Sequence, residues 1–381
     1  MKKNLLFVVD NLVLGGVTAV LINLLDALDY NKYSVELLVL HYYEDMKVKV
    51  NPNVHIIEGD KQFRYIDESL GKILAEKNIK SLIGKLKLVF LLKSGLIKSA
   101  VKRSRKKLLK KSYDTEISFN DGFTEVFTAC GDSPRKVAWM HIDISVHYDS
   151  ARYRKLMKWS LKQFDMCVSV SDKVKQAYQD CFGLEQMITI HNLLNVNDIM
   201  NKSKEEAALP YQSNEINLVS VGRLCAQKNY PLFISVHKRL CDAGYPVHSY
   251  IIGDGLDKIR LLNQIKEQNV ESSFTLLGRK DNPFPYVKNA DLFVLSSTHE
   301  GLPTVLTEAL ILGTPCISTD VAGAREILQN KYGVVVENST EALYYGIKDI
   351  LDNDKIKVFK KALENYEFDS NNIIRKIEEI L

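Results

Sequence analysis

The sequence lacks closely paired cysteines and long apolar segments. Its 381 residues include only six cysteines, none in a Cys-x-x-Cys pair. This argues against a zinc site or a redox dithiol and favours reduced thiols. No stretch approaches the roughly 20 apolar residues that span a bilayer. The apolar run after Lys3 ends at Asp10, too short for the core of a signal peptide. We therefore predict a cytoplasmic protein without a membrane-spanning segment.

Acidic residues are missing from one long stretch. Residues 80–111 hold twelve Lys/Arg and no Asp or Glu, and their apolar residues recur at roughly helical spacing. This pattern predicts a basic amphipathic helix or helix pair at the inner membrane surface. The alternative is a core-packed helix with a solvated basic face. The candidate membrane contacts are Lys98, Lys102, Arg103, Arg105, Lys106, Lys107, Lys110 and Lys111.

The charge of the chain divides unevenly. Residues 1–195 carry 30 Lys/Arg against 22 Asp/Glu, whereas the remainder carries 21 against 25. The first half is therefore expected to meet something anionic. Nucleic acid is a poor fit to the basic stretch 80–111, because no aromatic platform is interleaved with its charges.

Apolar runs alternate with helical patterns along the whole chain, which predicts an α/β protein with two doubly wound, Rossmann-like domains. The length also favours two domains. A polar stretch near 193–214 is typical of a linker, so we place the first domain at 1–194 and the second at 195–363. The last residues, 364–381, look helical.

The most specific segment follows the predicted strand at 291–295. It runs from Ser296 to Ala309 and has Pro303 where a helix would begin and Gly313 where it would end. The backbone N–H groups of Thr304, Val305 and Leu306 at that helix start would be free and would form an anion site at the carboxyl end of a parallel strand. Glu300 would lie in the loop before this helix and Glu308 about one and a half turns inside it. Local geometry alone therefore does not make them a close pair, which weakens a hydrolase interpretation.

Cationic residues and glycines follow the other predicted strands of the second half. Gly222, Arg223 and Lys228 come after the strand at 216–221. In a doubly wound sheet these strand ends face one crevice, so a guanidinium fork and an ammonium would surround a diphosphate. Further glycines end the next strands, at Gly253 and Gly278.

These motifs together resemble the retaining family-4 glycosyltransferases of the GT-B fold, whose two Rossmann-like domains face a central cleft. The resemblance rests on Gly222-Arg223 with Lys228, on Gly253-Asp254-Gly255, and above all on Glu300 and Glu308 with seven residues between them. It runs over nearly the whole chain and is strongest from 216 to 327. It also implies that the final helix packs back on the first domain.

The resemblance assigns roles to these residues. Arg223 and Lys228 would hold the donor diphosphate, Glu300 the sugar hydroxyls and Glu308 the ribose. The remaining donor-binding candidates in the second domain are Gly222, Gly253, Gly278, Arg279, Gly301, Leu302, Pro303, Thr304 and Val305. In the first domain, Gly15 and Gly16 would approach the phosphates, and His141 would bind the sugar or the developing charge.

We therefore predict a retaining, metal-independent hexosyltransferase. It would use a nucleotide diphosphate sugar, most simply a UDP-sugar, as co-substrate and need no other cofactor. Its acceptor would be a glycan or lipid-linked glycan in bacterial capsule, exopolysaccharide or cell-wall synthesis, at the inner face of the cell membrane. Two alternatives stay open: a nucleotide-sugar epimerase on the same fold, and a catalytically silent glycan-binding subunit.

Overall fold

The structure is a computed structural model that describes residues 2–13, 15–41, 49–66, 70–75, 78–144, 151–211 and 214–381. The chain divides into two compact units. The first comprises Met1–Leu193 and Asn371–Leu381, and the second comprises Leu194–Ser370.

A parallel sheet forms the centre of the first unit. Its strands within the described residues are β1 (Lys3–Val9), β2 (Tyr33–Val39), β3 (Val54–Glu58), β4 (Thr115–Ser118), β5 (Arg135–Met140), β6 (Met166–Ser169) and β7 (Met187–Thr189). They lie in the order β3-β2-β1-β4-β5-β6-β7. Leu5–Val9 is almost completely buried, as expected for a strand covered by helices on both faces.

Helices connect these strands and cover the sheet. They are α1 (Gly16–Ala27), α2 (Leu70–Ala75), α3 (Ile79–Ser94), α4 (Ile97–Leu108), α5 (Phe123–Ala129), α6 (Ala151–Leu161) and α7 (Asp172–Phe182). The predicted helix pair in the basic segment is confirmed as α3 and α4. Gly95, with φ +77°, ends α3 in the left-handed conformation and lets the chain turn into α4.

The second unit repeats this architecture. Its strands are β8 (Ile216–Val221), β9 (Val247–Ile252), β10 (Phe274–Gly278), β11 (Leu292–Leu295), β12 (Cys316–Thr319) and β13 (Gly333–Val336). They form a parallel sheet in the order β10-β9-β8-β11-β12-β13. The helices are α8 (Val196–Lys202), α9 (Tyr230–Asp242), α10 (Lys258–Glu267), α11 (Phe284–Asn289), α12 (Thr304–Ile311), α13 (Ala324–Leu328), α14 (Thr340–Asp352) and α15 (Lys355–Leu363).

Buried apolar side chains pack on both faces of the second sheet. One cluster includes Phe293 and Leu306, and the other includes Leu218 and Phe233. The alternation predicted from the apolar runs is therefore confirmed. The strands predicted at 216–221 and 291–295 agree to within one residue, whereas the last helix begins six residues after the predicted 364.

The polar stretch that was predicted as a linker is not wholly irregular, because it contains α8. The Asn195 side chain accepts a hydrogen bond from the Asp198 N–H and caps this helix. Ile199 is buried against the second unit. Met200 also packs against the same cluster. Two adjacent apolar side chains thus anchor a short helix in a polar stretch, and composition alone does not reveal this.

The last helix, α16 (Ser370–Ile380), belongs almost entirely to the first unit. Ile373, Ile377 and Ile380 form its buried face. The Thr115 hydroxyl donates to the Leu381 carbonyl at 2.6 Å, at the start of β4. The chain therefore returns to the unit in which it began.

Candidate functional site

Most of the predicted donor-site residues of the second unit lie at or just after the carboxyl ends of parallel strands, and the others lie in α12. Gly222 and Arg223 follow β8, Gly253 follows β9, and Gly278 is the last residue of β10. The segment from Ser296 to Pro303 follows β11 and leads into α12. Because neighbouring parallel strands end at one edge of the sheet, these segments gather there, where doubly wound sheets bind their ligands.

Lys228 and Glu300 form the central contact of this edge. The Lys228 ammonium lies 2.7 Å from Glu300 Oε1, and the two side chains are only 16% and 12% exposed. The Glu300 carboxylate also accepts a hydrogen bond from the Ser297 hydroxyl at 2.7 Å and from the Gln227 amide at 3.3 Å. The carboxylate is thus held in a fixed orientation by three donors.

Backbone contacts join the two loops that carry this ion pair. The Thr298 N–H donates to the Gln227 carbonyl, and the Ser296 hydroxyl donates to the Lys228 carbonyl, both at 2.8 Å. Residues 226–228 form a single 3₁₀ turn. The sequence analysis did not single out Gln227 or Ser297. Gln227 is adjacent to Lys228 and Ser297 closely follows β11, so both could have been predicted from their positions in the sequence.

Two glycines allow the loops after β8 and β9 to lie against each other. Gly253 has φ +155°, and a Cβ there would lie 1.9 Å from the Gly222 carbonyl oxygen. A Cβ on Gly255 would lie 2.3 Å from the Leu224 carbonyl oxygen. The predicted glycine segment therefore serves close backbone packing at the edge of the candidate site.

The start of α12 presents backbone amides to the same edge. The helix begins at Thr304, so Pro303 precedes it as the capping residue instead of lying in its first turn. The Leu306 N–H donates to the Pro303 carbonyl at 3.0 Å, which removes it from the amides predicted to be free. Within the part of the chain that the structure describes, the N–H groups of Thr304 and Val305 have no partner. Gly301 and Leu302 lie in the loop just before them.

Glu308 lies further along α12, where its side chain is partly exposed at the surface but surrounded by protein. Burial raises the pKa of its carboxyl group to about 7, and the nearby Lys228 ammonium partly offsets this increase. Glu300, in contrast, is fixed as a partner of Lys228. The two glutamates therefore have different environments: Glu300 is in direct contact with Lys228, whereas Glu308 feels only the charge of that lysine.

The other two cationic candidates, Arg223 and Arg279, are exposed, and Lys280 beside Arg279 is partly buried. Arg223 makes no hydrogen bond or ion pair with any residue that the structure describes, so its guanidinium is available to a ligand. Arg279 lies 3.7 Å from the highly exposed Asp281. The Lys280 ammonium lies 5.7 Å from the centre of the Tyr286 ring.

In the first unit, the candidates also follow strand ends. Gly15 and Gly16 lead from β1 into α1. His141 comes directly after β5 and is buried, with its ring against Phe119. Burial lowers its pKa to about 3, so the imidazole is neutral at physiological pH. Its Nε2 is buried and has no hydrogen-bond partner among the described residues.

Asp121 is a residue that the sequence analysis missed. Its carboxylate accepts the His141 backbone N–H at 2.8 Å and the Tyr178 hydroxyl at 2.5 Å. Burial raises its pKa to about 6, against the lowering effect of these hydrogen bonds. Asp121 follows β4, so the rule that polar residues gather at parallel strand ends could have found it.

The structure separates the eight predicted membrane-contact residues into three kinds: exposed, paired within the protein, and, for Arg105, buried. Lys102, Arg103, Lys106, Lys107 and Lys110 are exposed. Lys98 lies over the Trp159 ring at 3.4 Å, and Lys111 pairs with Glu36 at 2.8 Å. These two have partners within the protein and contribute less free charge to the surface.

Arg105 is a correction to the predicted surface. It is 6% exposed, and its guanidinium lies 2.6 Å from Glu116 Oε1 and 3.2 Å from the Phe127 carbonyl. It faces inward because it lies four residues after Val101 and eight after Ile97, on the packed face of α4. None of the helices that the structure describes combines the length and apolar character needed to cross a membrane.

Comparison with solved structures defines the class of fold. Anabaena Alr3699/HepE in complex with UDP matches with a TM-score of 0.69 and 16% identity, over 100% of this chain and 99% of that one. The two parallel α/β units thus have the GT-B fold. Residues 201–366, which are most of the second unit, match the family described as Glycosyl transferases group 1. The predicted resemblance to family-4 glycosyltransferases of the GT-B fold is confirmed.

Two curated relatives indicate what similar proteins do. One is the N-acetylgalactosamine-N,N'-diacetylbacillosaminyl-diphospho-undecaprenol 4-alpha-N-acetylgalactosaminyltransferase of Campylobacter jejuni, 34% identical over 179 residues, which are 46% of each chain. The other is the UDP-Gal:alpha-D-GlcNAc-diphosphoundecaprenol alpha-1,3-galactosyltransferase of Escherichia coli, 26% identical over 56% of this chain and 58% of that protein. The matches span about half the length of these relatives.

Proposed function

We propose that this chain is a retaining glycosyltransferase that moves a hexose from a UDP-sugar to a glycan or lipid-linked glycan. The observation that carries the proposal is the Lys228–Glu300 pair, set beside free backbone amides at the start of α12. A cation, a fixed carboxylate and helix-terminal N–H groups at one strand edge suit a diphosphate joined to a sugar.

The proposed chemistry needs stabilisation of a departing nucleoside diphosphate. The bond between the anomeric carbon and the diphosphate oxygen breaks, and a bond from that carbon to the acceptor oxygen forms on the same face. The acceptor proton passes to the leaving phosphate. Arg223, Lys228 and the amides of α12 would stabilise the negative charge as preorganised donors, so we propose that positive side chains replace a metal ion.

The names of the two relatives support a lipid-diphosphate-linked acceptor, since both include diphospho-undecaprenol. We therefore propose a role in bacterial surface polysaccharide synthesis, in the cytoplasm at the inner face of the cell membrane. The exposed basic residues of α4 suit an anionic surface of this kind. Sugar binding by His141 stays a prediction from the family resemblance.

Thermal unfolding with a panel of UDP-, GDP-, ADP- and TDP-sugars tests the donor site. A ligand at 100 times its Kd adds about 2.7 kcal/mol to the free energy of unfolding. We expect one UDP-sugar to raise Tm of the wild type, and Arg223→Ala to reduce that increase. Lys266→Ala removes an exposed cation near the far end of α10 and is the matched control. An equal ligand effect in Arg223→Ala, or no effect of any sugar nucleotide, would count against the proposed site.

Retention is tested separately. The anomeric configuration of the new glycosidic bond, read from the proton NMR coupling constant of the product, should equal that of the donor. An inverted product would overturn the retaining mechanism and leave the transfer itself intact. Isomerisation of the donor without any acceptor would instead favour an epimerase.

A further inference from the structure

Helix α3 exposes a continuous apolar stripe. Ile79 is 74% exposed, Ile83 62%, Leu86 53% and Phe90 62%. These residues are spaced by four, three and four positions, so at 100° per residue they fall within an arc of about 60° on one side of the helix. At 1.5 Å per residue the stripe is about 17 Å long. We call these four residues the α3 stripe.

The opposite side of α3 fixes how the helix is rotated. Leu88 and Leu91 are buried, and the Ser81 hydroxyl donates to the Tyr65 hydroxyl at 3.1 Å. Gly84 lies so close to the Tyr65 ring that a Cβ would be 2.9 Å from it. The α3 stripe therefore points away from the packed face of the helix.

Helix α4 has the opposite arrangement. Its apolar residues Ile97, Ala100 and Val101 are buried, whereas its outward residues are Lys and Arg. On α3, the exposed lysines Lys80, Lys87 and Lys93 accompany the stripe. The surface of the helix pair thus combines exposed apolar side chains from α3 with positive charge that comes mainly from α4.

The composition of the segment decides between possible partners of the stripe. Residues 80–111 contain twelve Lys/Arg and no acidic residue. A second copy of the chain placed stripe to stripe would bring like charges together, which disfavours self-association. An anionic bilayer complements both features, because hydrocarbon accepts the apolar side chains and headgroups accept the lysines.

We propose that α3 lies in the surface of an anionic lipid bilayer with the α3 stripe inserted among the acyl chains. The exposed lysines of α3 and α4 contact the headgroups. This inference rests on the membrane location in the proposed function and specifies which residues bind the membrane. Binding is then partly hydrophobic and persists at high salt, unlike adsorption by basic residues alone.

Vesicle flotation with the full chain tests the inference. The probes are phosphatidylcholine vesicles with and without phosphatidylglycerol, at low salt and in 0.5 M salt, where charge contacts are screened. The stripe variant Ile83→Ser/Leu86→Ser/Phe90→Ser should lower partitioning into anionic vesicles by about a hundredfold or more, and abolish binding in high salt. The charge variant Lys102→Gln/Lys106→Gln/Lys107→Gln should weaken binding at low salt and leave the high-salt fraction in place.

A matched control separates loss of the stripe from a general loss of surface hydrophobicity. Leu256 and Ile259 are 101% and 74% exposed in the second unit, and Leu256→Ser/Ile259→Ser should float like the wild type. Circular dichroism and Tm should be unchanged in the stripe variant, since the replaced side chains are exposed.

Insertion can also be read directly. In a Phe90→Trp variant, the indole emission at position 90 should shift to the blue with anionic vesicles and be quenched by brominated acyl chains. Three results would overturn the proposal: no flotation of the wild type, equal high-salt binding of the stripe variant, or a dimer in sedimentation that the stripe variant abolishes. None of these results depends on donor binding, so failure here leaves the donor-site experiment standing.

Discussion

Lys228 and Glu300 lie 72 residues apart in the chain, and their side chains meet at 2.7 Å. The pair joins the 3₁₀ turn after β8 to the loop after β11. Both charged groups are mostly buried, so each depends on the other for compensation. A donor phosphate that approaches Lys228 would meet an ammonium whose position is already fixed.

The first prediction concerns this ion pair. Lys228→Met should lower the free energy of unfolding by about 2 kcal/mol, because it leaves the Glu300 carboxylate buried without a cation. The double variant Lys228→Met/Glu300→Gln should lose less than the sum of the single variants, measured by urea unfolding. Lys357→Met, which breaks an exposed pair with Asp354, should leave stability unchanged. Additive losses would show that the pair is not coupled.

The second prediction concerns Glu308 and pH. Its folded pKa, about 7, is raised above the unfolded value of about 4.5 by burial. The folded protein therefore keeps a proton that the unfolded chain releases, so stability falls as pH rises from about 4.5 through 7. Relative to Glu308→Gln, the wild type should lose up to about 3 kcal/mol between pH 4.5 and 8.5.

Unfolding free energies at these two pH values give the measurement for Glu308. Glu271→Gln, at an exposed position in the same unit, provides the control and should show no such trend. A difference between wild type and Glu308→Gln that stays constant with pH would contradict the raised pKa.

The third prediction concerns Gly253. An alanine Cβ would meet the Gly222 carbonyl oxygen at 1.9 Å, so Gly253→Ala should cost more than about 2 kcal/mol and weaken nucleotide binding. Gly71→Ala is the control, because a Cβ there meets nothing within 4 Å and the residue lies in α2. Wild-type stability in Gly253→Ala would mean that the two loops do not pack as described.

The fourth prediction separates Arg105 from its basic neighbours. Arg105→Gln should destabilise the protein by about 3 kcal/mol or more, because Glu116 is fully buried and would lose its counter-ion. Lys102→Gln, one turn earlier and exposed, should leave Tm unchanged. The contradicting result would be the reverse pattern, with Arg105→Gln neutral in stability and defective in vesicle binding.

The fold could be predicted from sequence because its signals are local. Apolar runs such as Leu5–Val9 mark strands buried on both faces, and Gly313, with φ +79°, marks the end of α12. Because parallel strands end at one edge of a sheet, the sequence also predicted that Lys228 and Glu300 lie near each other. It did not predict their direct contact, which depends on how two loops pack.

The remaining differences have the same origin. Arg105 stands in a run of basic residues, and only the position of Glu116 on a distant strand explains its burial. The apolar residues of α3 and α4 share one helical pattern in the sequence. Tertiary packing turns those of α4 inward and leaves the α3 stripe exposed. The neighbouring elements determine which face of a helix is covered, so composition alone does not predict it.

Transfer of labelled hexose tests the central claim most directly. The purified chain is incubated with the UDP-sugar that raises its Tm and with an undecaprenyl diphosphate-linked sugar in anionic vesicles. We predict that label moves into the lipid fraction and UDP is released in equal amount, and that both are lost in Arg223→Ala but not in Lys266→Ala. A donor that is only bound, or is isomerised without any transfer to the acceptor, would contradict the account.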